Sequence, residues 1–198
     1  RTPWQRFVYR FYRNPFVMFG IGPIFMFFIS HRFTSVSSGP REKKNVYWTN
    51  ITLTVMVAVV GFTIGFTRLI LIFLPTIWIA GAFGLWLFYV QHQYKGVYWS
   101  RHEDWNFYDS ALKGSSFYKL PKLLQWFSGN IGFHHIHHLS PRIPNYTLSK
   151  CQSEVPLFST VRPVTLLLSI HSLALRLWDE ERRVLIGFDF LNTVRRST

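Results

Sequence analysis

Two long stretches without a charged residue constrain this chain more than any other feature. Residues 51–66 and 69–90 contain no Asp, Glu, Lys or Arg. A helix of about 20 apolar residues crosses the hydrocarbon core of a lipid bilayer. The second stretch has that length, and the first reaches it when residues 46–50 are included. The sequence therefore predicts two transmembrane helices, at about residues 49–66 and 69–90, joined as a hairpin.

A third apolar stretch, residues 15–30, is shorter and contains Pro23. Proline removes a helix hydrogen bond, and its ring clashes with the preceding turn. We expect an interfacial or re-entrant segment here, with a complete membrane span as the alternative.

The charge of the chain is strongly positive, with 22 Lys and Arg against 9 Asp and Glu. Many basic residues precede the apolar stretches: Arg1, Arg6, Arg10, Arg13, Arg32, Arg41, Lys43 and Lys44. Because Lys and Arg accumulate in the cytoplasmic loops of membrane proteins, both ends of the hairpin are expected in the cytoplasm, with residues 91–198 on the same side. No nucleic-acid-binding motif is present, and we expect no nucleic acid partner.

The remaining segments predict short helices. Residues 91–128 mix aromatic with charged residues, as do helices that lie against a membrane surface. Residues 161–186 carry apolar residues at helical spacing and predict a C-terminal amphipathic helix. The expected fold class is an all-α integral membrane protein, with a transmembrane hairpin and a cytoplasmic helical cap, residues 91–198, that carries a histidine cluster.

Four histidines lie within the five residues 134–138, in the sequence GFHHIHH. On a helix with about 100° per residue, His134, His137 and His138 fall within an arc of about 100°, whereas His135 points to one side. Imidazoles at positions i, i+3 and i+4 of a helix can bind one metal ion. The alternative is a solvated histidine-rich turn, which the flanking Gly, Phe and Leu residues disfavour.

The residue types narrow the choice of metal only in part. Cys151 is the single cysteine, which excludes both a disulfide framework and a cysteine-rich zinc site. The HExxH motif of zinc proteases and the paired Glu-x-x-His motifs of soluble di-iron bundles are absent as well. An all-imidazole site suits iron, copper or zinc. The sequence favours oxygen chemistry at iron or copper over structural zinc.

Other residues are candidates for the same site. His92 directly follows the second apolar stretch, so it is expected at the cytoplasmic surface, where it could meet the cluster. Asn130 lies four residues before His134 and could hydrogen-bond a ligand or a metal-bound water, with a helix N-cap as its alternative role. Like Asn130, His135 is a candidate for the shell that supports the ligands. Surface or structural roles are expected for the remaining histidines: His31, His102 and His171.

These residues resemble a known family. GFHHIHH fits HxxHH, the third histidine box of the membrane fatty acid desaturases, and His134, His137 and His138 occupy its histidine positions. The segment YVQHQ resembles the end of the family's last membrane helix, which supplies one further ligand, and His92 matches that ligand. Residues 98–146 resemble bacterial acyl-lipid desaturases of the Δ12/ω6 type.

The resemblance implies a di-iron site, held by histidines from three boxes on the cytoplasmic side of a four-span membrane protein. Such a site activates O₂ and removes two hydrogens from adjacent methylenes of an acyl chain, which gives a cis double bond. The resemblance also implies a lipid-linked acyl substrate, electrons from a ferredoxin or a cytochrome b5-like protein, and a place in the bacterial inner membrane. The iron ligands that it implies in this chain are His92, His134, His137 and His138.

The first two histidine boxes of the family are absent from residues 1–198. We therefore expect the chain to be the C-terminal part of one membrane desaturase domain, and to be inactive without the rest. Three alternatives stay open. They are a di-iron hydroxylase on the same scaffold, a membrane protein that binds a metal without catalysis, and a basic membrane-surface module with incidental histidines.

Overall fold

The computed structural model describes residues 2–190. The chain is mostly helical and divides after Trp86 into two compact units. The first unit consists of helices joined by turns. Its α-helices are α1 (Pro3–Tyr12), α2 (Gly22–Phe28), α3 (Pro40–Ile64) and most of α4 (Phe66–His92). A π-helical turn precedes α2 and a 3₁₀ turn follows it: Val17–Ile21 and Ser30–Arg32.

The helices α3 and α4 are both long and apolar enough to cross a membrane, which confirms the two predicted hydrophobic helices. α3 begins earlier than predicted, at Pro40, because proline fits the first helical turn and the Arg, Glu and Lys residues that follow are good helix formers. Gly65 alone separates α3 from α4. Its φ of 92° lies in the left-handed region, which favours glycine. The hairpin and its cytoplasmic orientation stay predictions.

The segment predicted to be interfacial or re-entrant is helical but bent. α1 and the helical stretch Val17–Arg32 meet at an angle of 60°. Together they are long and apolar enough to form either a broken span or a re-entrant loop. The geometry therefore fits the predicted re-entrant segment, and it fits a membrane span only when α1 is included.

The second unit combines short helices with two small sheets. After the end of α4, its helices are α5 (Phe107–Lys113), α6 (Lys122–Phe127), α7 (His134–Leu139), α8 (Leu148–Glu154), α9 (Pro156–Ser159) and α10 (Leu166–His171). Its strands are β1 (Phe117–Lys119), β2 (Pro163–Thr165), β3 (Leu177–Asp179) and β4 (Val184–Ile186). β1 and β2 are parallel, with Lys119 opposite Thr165, and β3 and β4 are antiparallel. The predicted all-α class therefore needs a correction, since three-residue strands are too short to leave a periodic pattern in the sequence.

The predicted C-terminal helix at residues 161–186 is wrong. Pro163 has no amide hydrogen to give to a helix, and its segment forms β2 instead. Thr165 then caps α10, because its Oγ1 accepts a hydrogen bond from the amide of Leu168. α10 ends at His171, so the apolar residues at helical spacing fill only two turns.

A side-chain contact turns the chain between β3 and β4. Asp179 Oδ1 accepts hydrogen bonds from the amides of Glu181 and Arg182, at 3.1 and 3.0 Å. Such bonds from an aspartate to the backbone two or three residues later favour a turn over a helix. Arg183 completes the turn with a φ of 52°. The charged residues that were predicted to end a helix therefore form a β-hairpin.

The helix α7 has six residues, too few to be stable by itself, so its position depends on packing. Phe133 and Ile136 join Leu148 of α8 and Phe158 of α9 in a buried apolar cluster. The ring of Phe117 in β1 stacks on Phe133, with 5.2 Å between the ring centroids. This core fixes α7 between β1, α8 and α9.

Gly132 allows the backbone before α7 to approach β1. Its carbonyl oxygen accepts a hydrogen bond from the amide of Tyr118 at 2.7 Å. A Cβ atom at Gly132 would meet the carbonyl oxygen of Tyr118 and, at 2.6 Å, Oε1 of Gln125. The interior is closely packed and the strand cannot move alone, so only glycine fits here without a shift of the backbone.

We predict that Gly132→Ala lowers the free energy of unfolding by about 1–3 kcal/mol, the usual effect of overpacking. The Tm of the purified protein in detergent micelles should fall by several degrees. Gly84→Ala is the matched control, because Gly84 lies inside α4 with open space around its Cα, and alanine favours a helix. An equal fall of the Tm in both variants would contradict the close approach.

Candidate metal centre

Three histidine side chains converge in the second unit. His92 lies at the end of α4, and His134 and His138 lie one helical turn apart on α7. One ring nitrogen of each lies within 4.8 Å of the others. Nε2 of His134 is central, since it lies 3.0 Å from Nε2 of His92 and 3.0 Å from Nε2 of His138. His134 is buried, His92 is half-buried and His138 is exposed, so the group opens to one side.

One side-chain and one backbone hydrogen bond hold the end of α4 against the segments that lead into α7. Gln91 is buried, and its Nε2 donates to the carbonyl of Ile131 at 2.9 Å. The carbonyl of Gln91 in turn accepts a bond from the amide of Ser116 at 2.9 Å. Because Ile131 lies three residues before α7 and Ser116 directly before β1, these bonds fix the spacing between His92 and α7.

The tautomer of His92 follows from its neighbour. Nδ1 of His92 lies 3.3 Å from the carbonyl oxygen of Gly114. A carbonyl can only accept, so Nδ1 carries the proton and Nε2 carries a lone pair. This is the arrangement usual for a metal-binding histidine, whose second nitrogen donates to a carbonyl or a carboxylate.

Hydrogen bonds among the three Nε2 atoms cannot account for both short nitrogen–nitrogen contacts. A neutral imidazole has one N–H and one lone pair. Nε2 of His134 has two nitrogen neighbours at the same distance, and a single N–H points in one direction. One of the two contacts therefore lacks a well-placed proton whichever tautomer His134 adopts. A cation that accepts a lone pair from each nitrogen satisfies all three.

The spacing also fits a metal ion. Imidazole nitrogens lie about 2.0–2.1 Å from a bound zinc ion, so two of them at right angles about an ion are about 3 Å apart. The two Nε2–Nε2 distances of 3.0 Å agree with this value. Imidazole donors suit iron, copper, zinc and nickel.

Lowered pKa values keep two imidazoles of α7 in the neutral form. Burial lowers the pKa of His134 to about 3, and the neighbouring charges of His92, His138, His137 and His135 add to this effect. His138 is the most exposed of the three, but partial burial of its ring also lowers its pKa, helped by the neighbouring His92 and His137. Both rings are therefore neutral at pH 7, which is the form that binds metals.

His137 is not part of the convergent group. Its ring stacks on that of His134, with centroids 5.7 Å apart and an angle of 22° between the planes. Three of the four predicted ligands thus converge, namely His92, His134 and His138. The role of His137 as a ligand stays a prediction.

His135 lies in the apolar core. It is fully buried, and its ring contacts Phe117 and Phe158, with centroids 5.7 and 5.6 Å away. Burial lowers its pKa to about 4, although the nearby Gln152 side chain and Ser116 backbone act in the opposite direction. Neither neighbour reaches hydrogen-bond geometry with the ring nitrogens. The predicted role of His135 in supporting the ligands stays a prediction, and its contacts are those of a core residue.

Asn130 does not cap α7. The residue before that helix is Phe133, which makes no side-chain cap, so the N-cap role weighed for Asn130 is wrong. Asn130 has a φ of 58°, and its Nδ2 donates to the carbonyl of Asn145 at 3.0 Å. The side chain therefore ties the turn before α7 to the segment before α8. Its support of a metal ligand stays a prediction.

Sequence reasoning missed the residues that orient His92. Gly114 contributes a backbone carbonyl, and Gln91 contributes bonds to two backbone segments. A carbonyl acceptor leaves no residue-type signal, because every residue has one. Gln91 left a weak signal as a polar residue at the end of an apolar helix.

Comparison with known proteins gives the family of the chain. The sequence model of the family described as "Fatty acid desaturase" matches residues 1–160. A protein named "Fatty acid desaturase" from Bacillus subtilis (strain 168) is 44% identical over 183 residues, which cover 92% of this chain and 52% of that protein. The chain thus spans about half the length of this curated relative. No solved structure is significantly similar to this chain. From the family match and the relative together, the chain belongs to the fatty acid desaturase family.

Proposed function

We propose that this chain carries part of the iron centre of an O₂-dependent membrane desaturase, which introduces a cis double bond into a lipid-linked acyl chain. The observation that carries the proposal is the convergence of three Nε2 atoms at the end of α4. α4 is long and apolar enough to cross a membrane, and the chain belongs to the fatty acid desaturase family. A metal bound there would lie beside the lipid that holds the substrate.

Iron suits this proposal, because the C–H bonds of a saturated acyl chain are beyond acid–base side chains and require the oxidising power of a metal and O₂. His92, His134 and His138 would hold the metal through Nε2. The carbonyl of Gly114 keeps the Nε2 lone pair of His92 directed at the site by accepting a hydrogen bond from Nδ1. Burial keeps His134 neutral, so protons do not compete for its nitrogen at pH 7.

A di-iron centre needs more ligands than three nitrogens. Among residues 2–190, the convergent group comprises His92, His134 and His138, and His137 is the nearest further candidate. We place the remaining ligands outside these 198 residues, in a longer protein. The ligand number supports this, as does the length of the relative, of which the chain covers 52%.

The finer assignments rest on the sequence resemblance. We propose the Δ12/ω6 type, an acyl-lipid substrate, a ferredoxin or cytochrome b5-like electron donor, and the cytoplasmic side of a bacterial inner membrane as the site's location. The basic residues before the apolar stretches support this orientation. A membrane hydroxylase would use the same histidines, so the product distinguishes the two enzymes.

Replacing His134 in the full-length protein that contains this chain tests the proposal. His134→Ala removes the central nitrogen, and we expect the iron content and the yield of unsaturated product to fall to background. Iron analysis of the purified protein and the fatty acid profile of expressing cells measure both. His171→Ala is the control, because this exposed ring contacts only a carbonyl of its own helix, and both values should be retained.

The wild-type protein in the same assays separates the alternatives. A hydroxylated acyl chain as the main product would replace the desaturase by the hydroxylase. Bound iron without any oxidised lipid would favour metal binding without catalysis.

His135→Ala should affect stability rather than metal binding. The ring fills the core, so its loss should cost about 2–5 kcal/mol of unfolding free energy. Iron per folded protein should stay close to that of the wild type. His92→Ala should do the reverse, with lost iron and a smaller change of the Tm. Equal loss of iron in both variants would contradict the placement of His135 outside the metal centre.

The pH dependence of metal binding should be shallow. A histidine of ordinary pKa, about 6.5, would lose metal as the pH falls below that value, because the proton and the metal compete for one nitrogen. Since the pKa of His134 is about 3, this ring stays neutral over that range, and the lowered pKa of His138 acts in the same direction. We expect the affinity for cobalt(II), followed by its absorption spectrum, to change less than about tenfold between pH 7.5 and 6. A steeper loss would show that the rings titrate normally.

A further inference from the structure

Helix α6 has its polar and apolar residues in the reverse of the usual positions. Gln125 is the buried residue of this helix, with 9% of its surface exposed, and its Nε2 donates to the carbonyl of Asn130. The apolar residues of α6 are exposed: Leu123, Leu124, Trp126 and Phe127. Trp126, for example, has 70% of its surface exposed. A helix in contact with water buries its apolar face. The outward face of α6 is therefore unusually apolar for a helix in contact with water.

Helix α10 repeats this reversal. Ser169 has no exposed surface, and its Oγ donates to the carbonyl of Leu166 at 2.6 Å. That hydroxyl also accepts a hydrogen bond from the phenol of Tyr118, 3.0 Å away. Leu167 is 76% exposed, and it has three exposed apolar neighbours in the helix: Leu166, Leu168 and Ile170. The polar groups of α10 are satisfied inside the unit, and its leucines point outward.

The small parallel sheet sends the chain toward both helices from the same edge. Lys119 ends β1 and lies opposite Thr165, which ends β2. Because the strands are parallel, the chain leaves both at the same edge. α6 begins at Lys122, three residues after β1, and α10 begins directly after β2. We call the exposed apolar side chains of the two helices the α6–α10 surface: Leu123, Leu124, Trp126, Phe127, Leu166, Leu167, Leu168 and Ile170.

Hydrogen bonds tie this surface to the end of α4. The phenol of Tyr89 donates to the carbonyl of Ser172, directly after α10, at 3.0 Å. Gln93 Nε2 donates to the carbonyl of Leu175 at 2.9 Å. Tyr89 belongs to the last turn of a helix that is long and apolar enough to cross a membrane, and Gln93 follows that helix. The end of α10 is therefore held beside the last turn of α4.

We infer that the α6–α10 surface lies in the interfacial layer of the membrane, with lipid as its occupant. Eight large exposed apolar side chains on two short helices are unfavourable in water and favourable in lipid. Trp126 suits the boundary between headgroups and acyl chains, where tryptophan is enriched. Lys119 and Lys122 lie next to the surface and suit anionic headgroups. The inference depends on α4 as a membrane helix, and it does not require iron or catalysis.

Site-specific labels test this docking without any measurement of activity. In a Cys151→Ser background, the variants Leu167→Cys and Phe127→Cys carry an NBD fluorophore on the two helices. Tyr146→Cys is the matched control, because Tyr146 lies outside the surface and is as exposed as Leu167, both at 76%. The full-length protein is reconstituted in vesicles of phosphatidylcholine and phosphatidylglycerol that contain nitroxide-labelled lipid.

The labels at positions 167 and 127 should be quenched several-fold more by the lipid nitroxide than the label at position 146, and less by iodide in the water. Iodide access at 167 and 127 equal to that at 146 would overturn the inference. Protection from both quenchers would also overturn it, since a protein surface would then cover the helices. Two positions on separate helices guard against a local effect of one label.

Discussion

The residues from Gly114 to Tyr118 bind both elements that carry the converging histidines. The carbonyl of Gly114 accepts a hydrogen bond from Nδ1 of His92, and the amide of Ser116 donates to the carbonyl of Gln91, so the segment holds the end of α4. Two residues later, Tyr118 binds the carbonyl of Gly132. The stacked rings of Phe117 and Phe133 join the same two segments. Since α7 is too short to hold itself in place, the distances between the Nε2 atoms depend on this segment.

The sequence predicted the parts of the fold that follow from long patterns. The apolar stretches before His92 predicted α3 and α4, because a bilayer demands a long uninterrupted run. The spacing of His134 and His138 predicted that both lie on one face of a helix, since one turn separates them. The spacing did not show that His137 lies outside the convergent group, because all three histidines fall within an arc of ~100°. Which of them meet His92 depends on the direction from which α4 approaches.

The parts that sequence reasoning missed depend on contacts between distant residues. β1 and β2 have three residues each and exist because they pair with each other, so neither shows a pattern by itself. At residues 161–186 the apolar spacing predicted a helix, but Pro163 and the turn at Asp179 divided the segment. The rule that apolar residues face inward also failed at α10, where Ser169 is buried and Leu167 is exposed. That rule assumes water as the surroundings.

The strand β1 has a further consequence because it serves two neighbours. It leads directly into α6, and through Phe117 and Tyr118 it holds the segment that begins α7. If lipid fixes the height of α6, the imidazoles of α7 acquire a fixed height above the acyl chains as well. Under the proposed desaturase function, the carbon of a hydrocarbon tail that comes within reach of a bound metal would then be counted from the headgroup layer. A thicker or thinner headgroup layer would then change which carbon of the tail comes within reach, so the membrane as well as the protein would set the position of reaction.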